Sequence, residues 1–276
     1  MYIIQTKNKL LEILFKKQVG FVPTMGALHR GHLNLIQNSK NENPFTVCSI
    51  FVNPTQFNNT NDFIHYPKTI ENDIELLYSI GCDFLFLPTT SEMYPDGIHS
   101  KNDYPLGEME NVFEGYFRPG HFQGVCTIVD KLIQCVLPNN LYLGEKDFQQ
   151  CLVIKKLLDY IQSNTQIKIC PTLREGSGLA ISSRNARLSE VGKIKAANIF
   201  QCLTNIKENS HNHSFETLKN NCIQKLLAHN IETEYLSLAN AINLSPMNDF
   251  DIQTEQVVLF AGYLENVRLI DNMRIH

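Results

Sequence analysis

The sequence predicts an α/β protein in which a parallel sheet is covered by helices on both faces, with a smaller α+β domain after it. Three observations lead there. Over about the first 175 residues, short runs of β-branched and aromatic residues alternate with amphipathic helical patterns. Strands separated by helices are joined by crossovers, and crossovers make neighbouring strands parallel. After Arg187 the rhythm changes to two helices and then three short strand-like runs.

Taken in order, Val19 to Thr24 reads as the first clear strand and His32 to Asn41 as the helix after it. Thr46 to Asn53 (TVCSIFVN) is a buried strand almost free of charge, followed by a helix from about Thr69 to Ile80. Asp83 to Leu87 is a strand closed by Pro88. Phe122 to Val136 carries apolar residues at helical spacing and stops before Pro138. Leu141 to Leu143 is a short strand, Phe148 to Ile161 an amphipathic helix, and Gln166 to Leu173 the last strand of the series. Beyond it, helices are predicted over Ser189 to Glu208 and Phe215 to His229, and strands over Glu234 to Leu238, Gln256 to Gly262 and Val267 to Asp271. The change of rhythm puts a domain boundary near residue 176, giving domains 1–175 and 176–276. In sheets of the first kind, ligands bind at the carboxyl ends of the strands.

Composition narrows the function. Hydrophobic residues are 43% of the chain and charged residues 19%, enough for a core without lipid. A net charge of −4 argues against a nucleic-acid binder, which needs a basic surface. The eight cysteines include five inside apolar runs, and no C-x-x-C pair or zinc spacing is present, so neither a disulfide framework nor a protein-held metal is expected. The amino end lacks the features of a signal peptide, and no apolar run approaches the ~18 residues of a membrane span. A cytoplasmic protein with no membrane partner is the expectation.

Five segments carry chemistry. PTMGALHRGH, Pro23 to His32, lies between a strand and a helix, where backbone N–H groups and the helix dipole attract phosphate. Gly26 and Gly31 allow close approach, and His29 and His32, three apart, can face the same side. Two surface histidines beside a turn explain H-x-G-H equally well. GEKDFQQ, Gly144 to Gln150, opens another helix at a strand end; Lys146 can reach a phosphate, Asp147 can cap the helix or accept from a ribose hydroxyl, and Gln150 lies one turn on. SGLAISSRN, Ser177 to Asn185, offers two hydroxyls and Arg184 as an anion clamp on a glycine-containing loop, though a plain polar loop accounts for it as well. SIFVNPTQF ends a strand with Asn53 and Gln56, amides suited to a hydroxy acid; FEGYFRPGHFQG adds Arg118 and His121.

Together and in this order, these segments resemble the pantothenate synthetase family, over about residues 3 to 272. PTMGALHRGH looks like that family's form of the HIGH motif of nucleotidyltransferases, and SIFVNPTQF, RPGHFQGV, GEKDFQQ, ISSRN and RLIDN resemble its other signatures. The resemblance implies a Rossmann-like first domain and an ATP site lined by Met25, Gly26, Ala27, Leu28, His29, Arg30, Gly31 and His32, with His32 as proton donor. It implies that Gly144, Glu145, Lys146 and Asp147 close on ATP together with Ile181, Ser182, Ser183 and Arg184, the place of the mobile KMSKS-type loop. Leu173 would lie near the adenine through its backbone, and Gln56 and Gln150 would hold pantoate, Gln56 also meeting β-alanine. His29, His32, Lys146 and Arg184 are the expected catalytic set, with magnesium accompanying ATP and a homodimer as the assembly. Ser177 stands where the family usually has aspartate, and Ile181 where Met or Leu is usual. Two rivals remain: another H-x-G-H adenylyltransferase, and a non-catalytic nucleotide-binding scaffold.

Overall fold

The computed structural model describes residues 1–57, 63–64, 66–98 and 103–275. From the amino end run β1 (Tyr2–Ile4), α1 (Lys7–Leu14), β2 (Val19–Thr24), α2 (Arg30–Glu42), β3 (Phe45–Ile50), α3 (Ile70–Ser79), β4 (Phe84–Phe86) and the short α4 (Thr90–Met93). After these come α5 (Phe113–Phe117), α6 (His121–Val136), β5 (Asn140–Gly144), α7 (Phe148–Tyr160) and β6 (Gln166–Cys170). The six strands form one sheet in the order β1-β4-β3-β2-β5-β6, every neighbouring pair parallel.

β2 is the point where the strand order reverses, with β3 on one side and β5 on the other. Its pairing with β3 runs its whole length, but its pairing with β5 stops at Phe21. Pro23, which has no N–H to donate, therefore sits where the β5 side has already opened. The parting of the strands leaves a crevice at their carboxyl ends, where open α/β sheets bind ligands. Side chains of β2 alternate: Val19 and Phe21 enter the core under α1, α6 and α7, and Val22 enters the core under α2 and α3.

The remaining elements are α8 (Glu190–Asn209), α9 (Phe215–Ala228), β7 (Glu232–Asn240), β8 (Pro246–Met247), β9 (Gln256–Leu264) and β10 (Val267–Arg274). The last four form an antiparallel sheet in the order β10-β9-β7-β8, packed on α8 and α9 over a second apolar core. Ser189 and Ser214 start the two helices, each accepting from a backbone N–H in the first turn. The two sheets meet where Phe113 and Phe148 pack on Ala239, Val257 and Leu259. All eight cysteines are buried and unpaired, as core thiols. No helix among the described residues is long and apolar enough to cross a membrane.

Two predicted strands end early. The strand expected to reach Asn53 stops at Ile50, and the one expected to reach Leu173 stops at Cys170, ahead of Pro171. β1 and β8 give too short a pattern to read.

Candidate active site

The turn from β2 into α2 is held from below by a residue the motifs do not contain. Asp73 of α3 is fully buried, and its carboxylate accepts from Ala27 N at 2.9 Å, Leu28 N at 2.8 Å and Thr69 Oγ1 at 3.0 Å. Gly26 has φ +79°, and a Cβ there would come within 2.9 Å of Asp73 Oδ2, so only glycine fits. Thr24 closes the other side, donating to Ser49 O at 2.7 Å and accepting from Gly26 N. α2 then starts at Arg30 with His29 extended in the N-cap place and no side-chain cap, leaving first-turn N–H groups for a ligand.

His29 and His32 stack, ring centroids 4.0 Å apart. Gly31 makes that possible, because a Cβ on it would lie 3.0 Å from the His29 ring; the role expected for this glycine was approach to a ligand. Burial, followed by the nearby Lys146 charge, lowers His29 to about 4. Burial, then His29 and Lys146, holds His32 well below its ordinary value. Both rings are therefore neutral at physiological pH, and the Nδ1 atom of each is buried without a hydrogen-bond partner. Such a pair can donate to phosphate oxygens as charge develops on them.

The second strand end supplies the cation. After β5, the turn Glu145–Asp147 carries Lys146, whose Nζ lies 3.4 Å from Asp147 Oδ1. Asp147 occupies the N-cap place of α7 without a side-chain cap bond, so its carboxylate serves the lysine and not the helix. Beyond β6, Ile181 N donates to Leu173 O at 3.0 Å, folding the segment back over the cavity. Ser182 Oγ accepts from Arg184 N at 3.3 Å, starting the turn Ser183–Arg187.

A third wall is amide-rich. Asn53 is fully buried, with its amide nitrogen donating to Gly124 O at 3.0 Å and Gln56 Oε1 at 3.3 Å and its oxygen accepting from Tyr94 at 2.7 Å. It lies behind the wall and orients Gln56, so the direct substrate contact expected of Asn53 is not what its geometry provides. His121 donates from Nδ1 to Gln56 O at 2.8 Å and accepts from Arg118 at 3.0 Å on Nε2. That arrangement requires a neutral ring; burial and then Arg118 lower His121 to about 3.

These walls enclose a cavity of about 230 Å³ between β2 and β5. Of the predicted residues, Met25, His29, Gly31 and His32 line it from the first turn, and Gly144, Lys146, Asp147 and Gln150 from the second. Gln56 and Leu173 are also on the wall, as are Ile181, Ser182, Ser183 and Arg184. Six predicted residues are not on it. Gly26, Ala27 and Leu28 shape the turn beneath, and Asn53 backs Gln56. Arg30 has a side chain 72% exposed and pairs at 3.8 Å with Glu175 on the surface, while Glu145 turns away to Arg274, 2.7 Å distant. The motifs include neither Asp73 nor Ile128 and Val129, which with Val125 form the apolar floor of the cavity on α6. Val125 and Val129, four apart in a helix whose apolar residues fall at helical spacing, are the signal for that floor.

An anion-receptive helix start, a lysine turn and an arginine segment at a strand-order switch define a nucleotide-binding α/β enzyme site. The sequence pattern of pantoate–β-alanine ligase matches residues 2–274, and the chain belongs to that family. It is 45% identical to pantothenate synthetase of Cytophaga hutchinsonii over 266 residues, 93% of this chain and 91% of the relative. It is 44% identical to pantoate–β-alanine ligase of Dictyostelium discoideum over 93% of this chain and 88% of that one. The crystal structure of pantothenate synthetase from Thermus thermophilus superposes with a TM-score of 0.93 at 38% identity, covering 100% of both chains. That of the Francisella tularensis ligase, complexed with β,γ-ATP and β-alanine, gives 0.84 at 39% identity over 100% of this chain and 98% of that one.

Proposed function

We propose that this chain condenses pantoate with β-alanine at the expense of ATP, through a pantoyl adenylate, in the cavity between β2 and β5. The observation that carries the reading is one cavity shared by the neutral His29–His32 stack, Lys146 and the amides of Gln56 and Gln150. Nucleotide chemistry alone has no use for the last two.

In the first step a pantoate carboxylate oxygen attacks the α-phosphorus and the bond to the β-phosphate breaks, releasing pyrophosphate. The carboxylate is ionised at neutral pH and needs no general base. What the protein supplies is alignment and charge neutralisation: Lys146 and Arg184 with the phosphates, His29 and His32 as N–H donors, His32 as the proton donor of the pair. Gln56 and Gln150 bond the hydroxyl and carboxylate groups of pantoate, and its two methyl groups meet Val125, Ile128 and Val129. In the second step the free amine of β-alanine, beside Gln56, attacks the acyl carbon, the C–O bond to AMP breaks, and the nitrogen gives up a proton to water. Closure of the segment carrying Ser182, Ser183 and Arg184, with Leu173 and Ile181 at the adenine, keeps water from the adenylate.

Magnesium would accompany ATP, where it would offset phosphate charge, and Asp147 is the carboxylate on the wall that could face it. The protein works as a homodimer in the cytoplasm, where eight unpaired thiols persist. Residues 1–175 form the nucleotide and pantoate domain and residues 176–276 the domain that closes over it. Product analysis with ATP, pantoate and β-alanine, each omitted in turn, tests the reading. AMP is expected only with all three at a sustained rate; pyrophosphate without AMP under every combination would point to a simple adenylyltransferase, and ATP binding without turnover to a scaffold.

A further inference from the structure

The segment RLIDN, Arg268 to Asn272, belongs to β10 and touches the catalytic segments from outside the parallel sheet. Asn272 is buried, and its amide nitrogen donates to two successive carbonyls of the lysine turn, Glu145 O and Lys146 O, each at 2.9 Å. Two residues further along the same face of the strand, Arg274 pairs with the Glu145 side chain at 2.7 Å and lies over the Phe148 ring. The neighbouring Asp271, also buried, holds Arg174 through two bonds of 2.6 and 2.9 Å. Arg174 in turn donates to Gly178 O at 3.1 Å and bridges to Ala180, at the root of the segment that carries Ser182 and Arg184. Asp271 and Asn272 are themselves joined, Asn272 N donating to Asp271 Oδ1 at 2.8 Å.

We propose that β10 brackets the two cationic segments and that Asn272 is the positioning residue for Lys146. A three-residue turn has few bonds of its own to fix where a long lysine chain begins. Two carbonyls of this turn converge on one amide from the other sheet, so the lysine's starting point is set by the docking of the carboxyl-terminal sheet. A displacement of about 1 Å at such a group is enough to cost on the order of a hundredfold in rate. The proposal rests on Lys146 acting in the ligase reaction.

The experiment is a double-mutant cycle on Asn272→Ala, Lys146→Ala and the pair, read by ATP–pyrophosphate exchange with pantoate in the full-length protein. Asn272→Ala is expected to lower kcat about 10-fold to 100-fold with little change in the KM for ATP, and to add less than about 2-fold in the Lys146→Ala background. Asn272→Gln, which keeps the donor, should recover part of the rate. Should Asn272→Ala fail to fold, Asn272→Ser, too short to span both carbonyls, goes through the same cycle. Wild-type exchange rates for Asn272→Ala, or a full multiplicative loss in the Lys146→Ala background, would overturn the proposal. Absence of exchange in the wild type, or an unimpaired Lys146→Ala, would instead overturn the ligase reading on which it rests.

Discussion

Replacing Glu114 by glutamine should be among the most costly polar substitutions in this protein, because Glu114 ties α5 to the antiparallel sheet. It sits on α5, buried, with Oε2 accepting from Arg268 Nη1 at 2.8 Å and Oε1 accepting from Arg268 Nη2 at 2.7 Å and from Tyr235 at 2.8 Å. Arg118 Nη1 lies 3.6 Å away, and Glu234 is the second carboxylate on Arg268. Burial pushes the Glu114 carboxyl up, but the bonds and charge of Arg268, then Arg118 and Tyr235, outweigh it and bring it from 4.5 down to about 2. At about 1.4 kcal/mol per tenfold change in proton affinity, that is about 3 kcal/mol of stability. Breaking a buried ion pair by removing one partner costs about 3–5 kcal/mol, the same scale reached by a different route. For a chain of this size Glu114→Gln should lower Tm by roughly 6–10 °C at neutral pH. The carboxyl is depressed in the folded state, so its contribution is complete above about pH 4.5 and is lost as pH falls towards 2. Thermal melts of both proteins from pH 7 to pH 3 give the comparison. A difference below about 1 °C at pH 7, or one that widens on acidification, would refute the reasoning.

Two further outcomes follow from the site. Lys146→Ala should fold normally and lose at least ~100-fold in adenylation, the scale of one transition-state donor; near-normal turnover at an unchanged Tm would remove Lys146 from the chemistry. In the ligand-free protein His29 should stay neutral down to about pH 4, seen as imidazole carbon shifts in an NMR titration. A midpoint near 6.5 would mean that the ring is neither buried nor close to Lys146.

The sequence made the parallel sheet legible because its central strands, β2 to β5, are buried on both faces and punctuated by proline and glycine. β2 was read with its observed ends, and the helix starting at Phe148 was read to within one residue. What stayed hidden was short or edge-like: β1 has three residues, two of them exposed, and β8 has two, one of them Pro246. Periodicity cannot register elements of that size. In the site, most residues that touch the cavity are legible as strand-end motifs, whereas the contacts that support them are not. Asp73 lies on a helix forty-five residues or more from the turn it holds, and Asn272 more than a hundred from the lysine turn. Only the fold brings such partners together. Asn53 was misplaced for a related reason, since a polar residue at a strand end looks the same whether its amide faces a ligand or a neighbouring glutamine.

The central claim is that one cavity first adenylates an acid and then passes it to an amine. Exchange of labelled pyrophosphate into ATP, measured with pantoate and no β-alanine, tests it most directly. Exchange is expected with pantoate alone, strongly reduced in Gln150→Ala with ATP binding retained, and followed by rapid AMP release once β-alanine is added. Exchange that appears only when β-alanine is present would contradict the account.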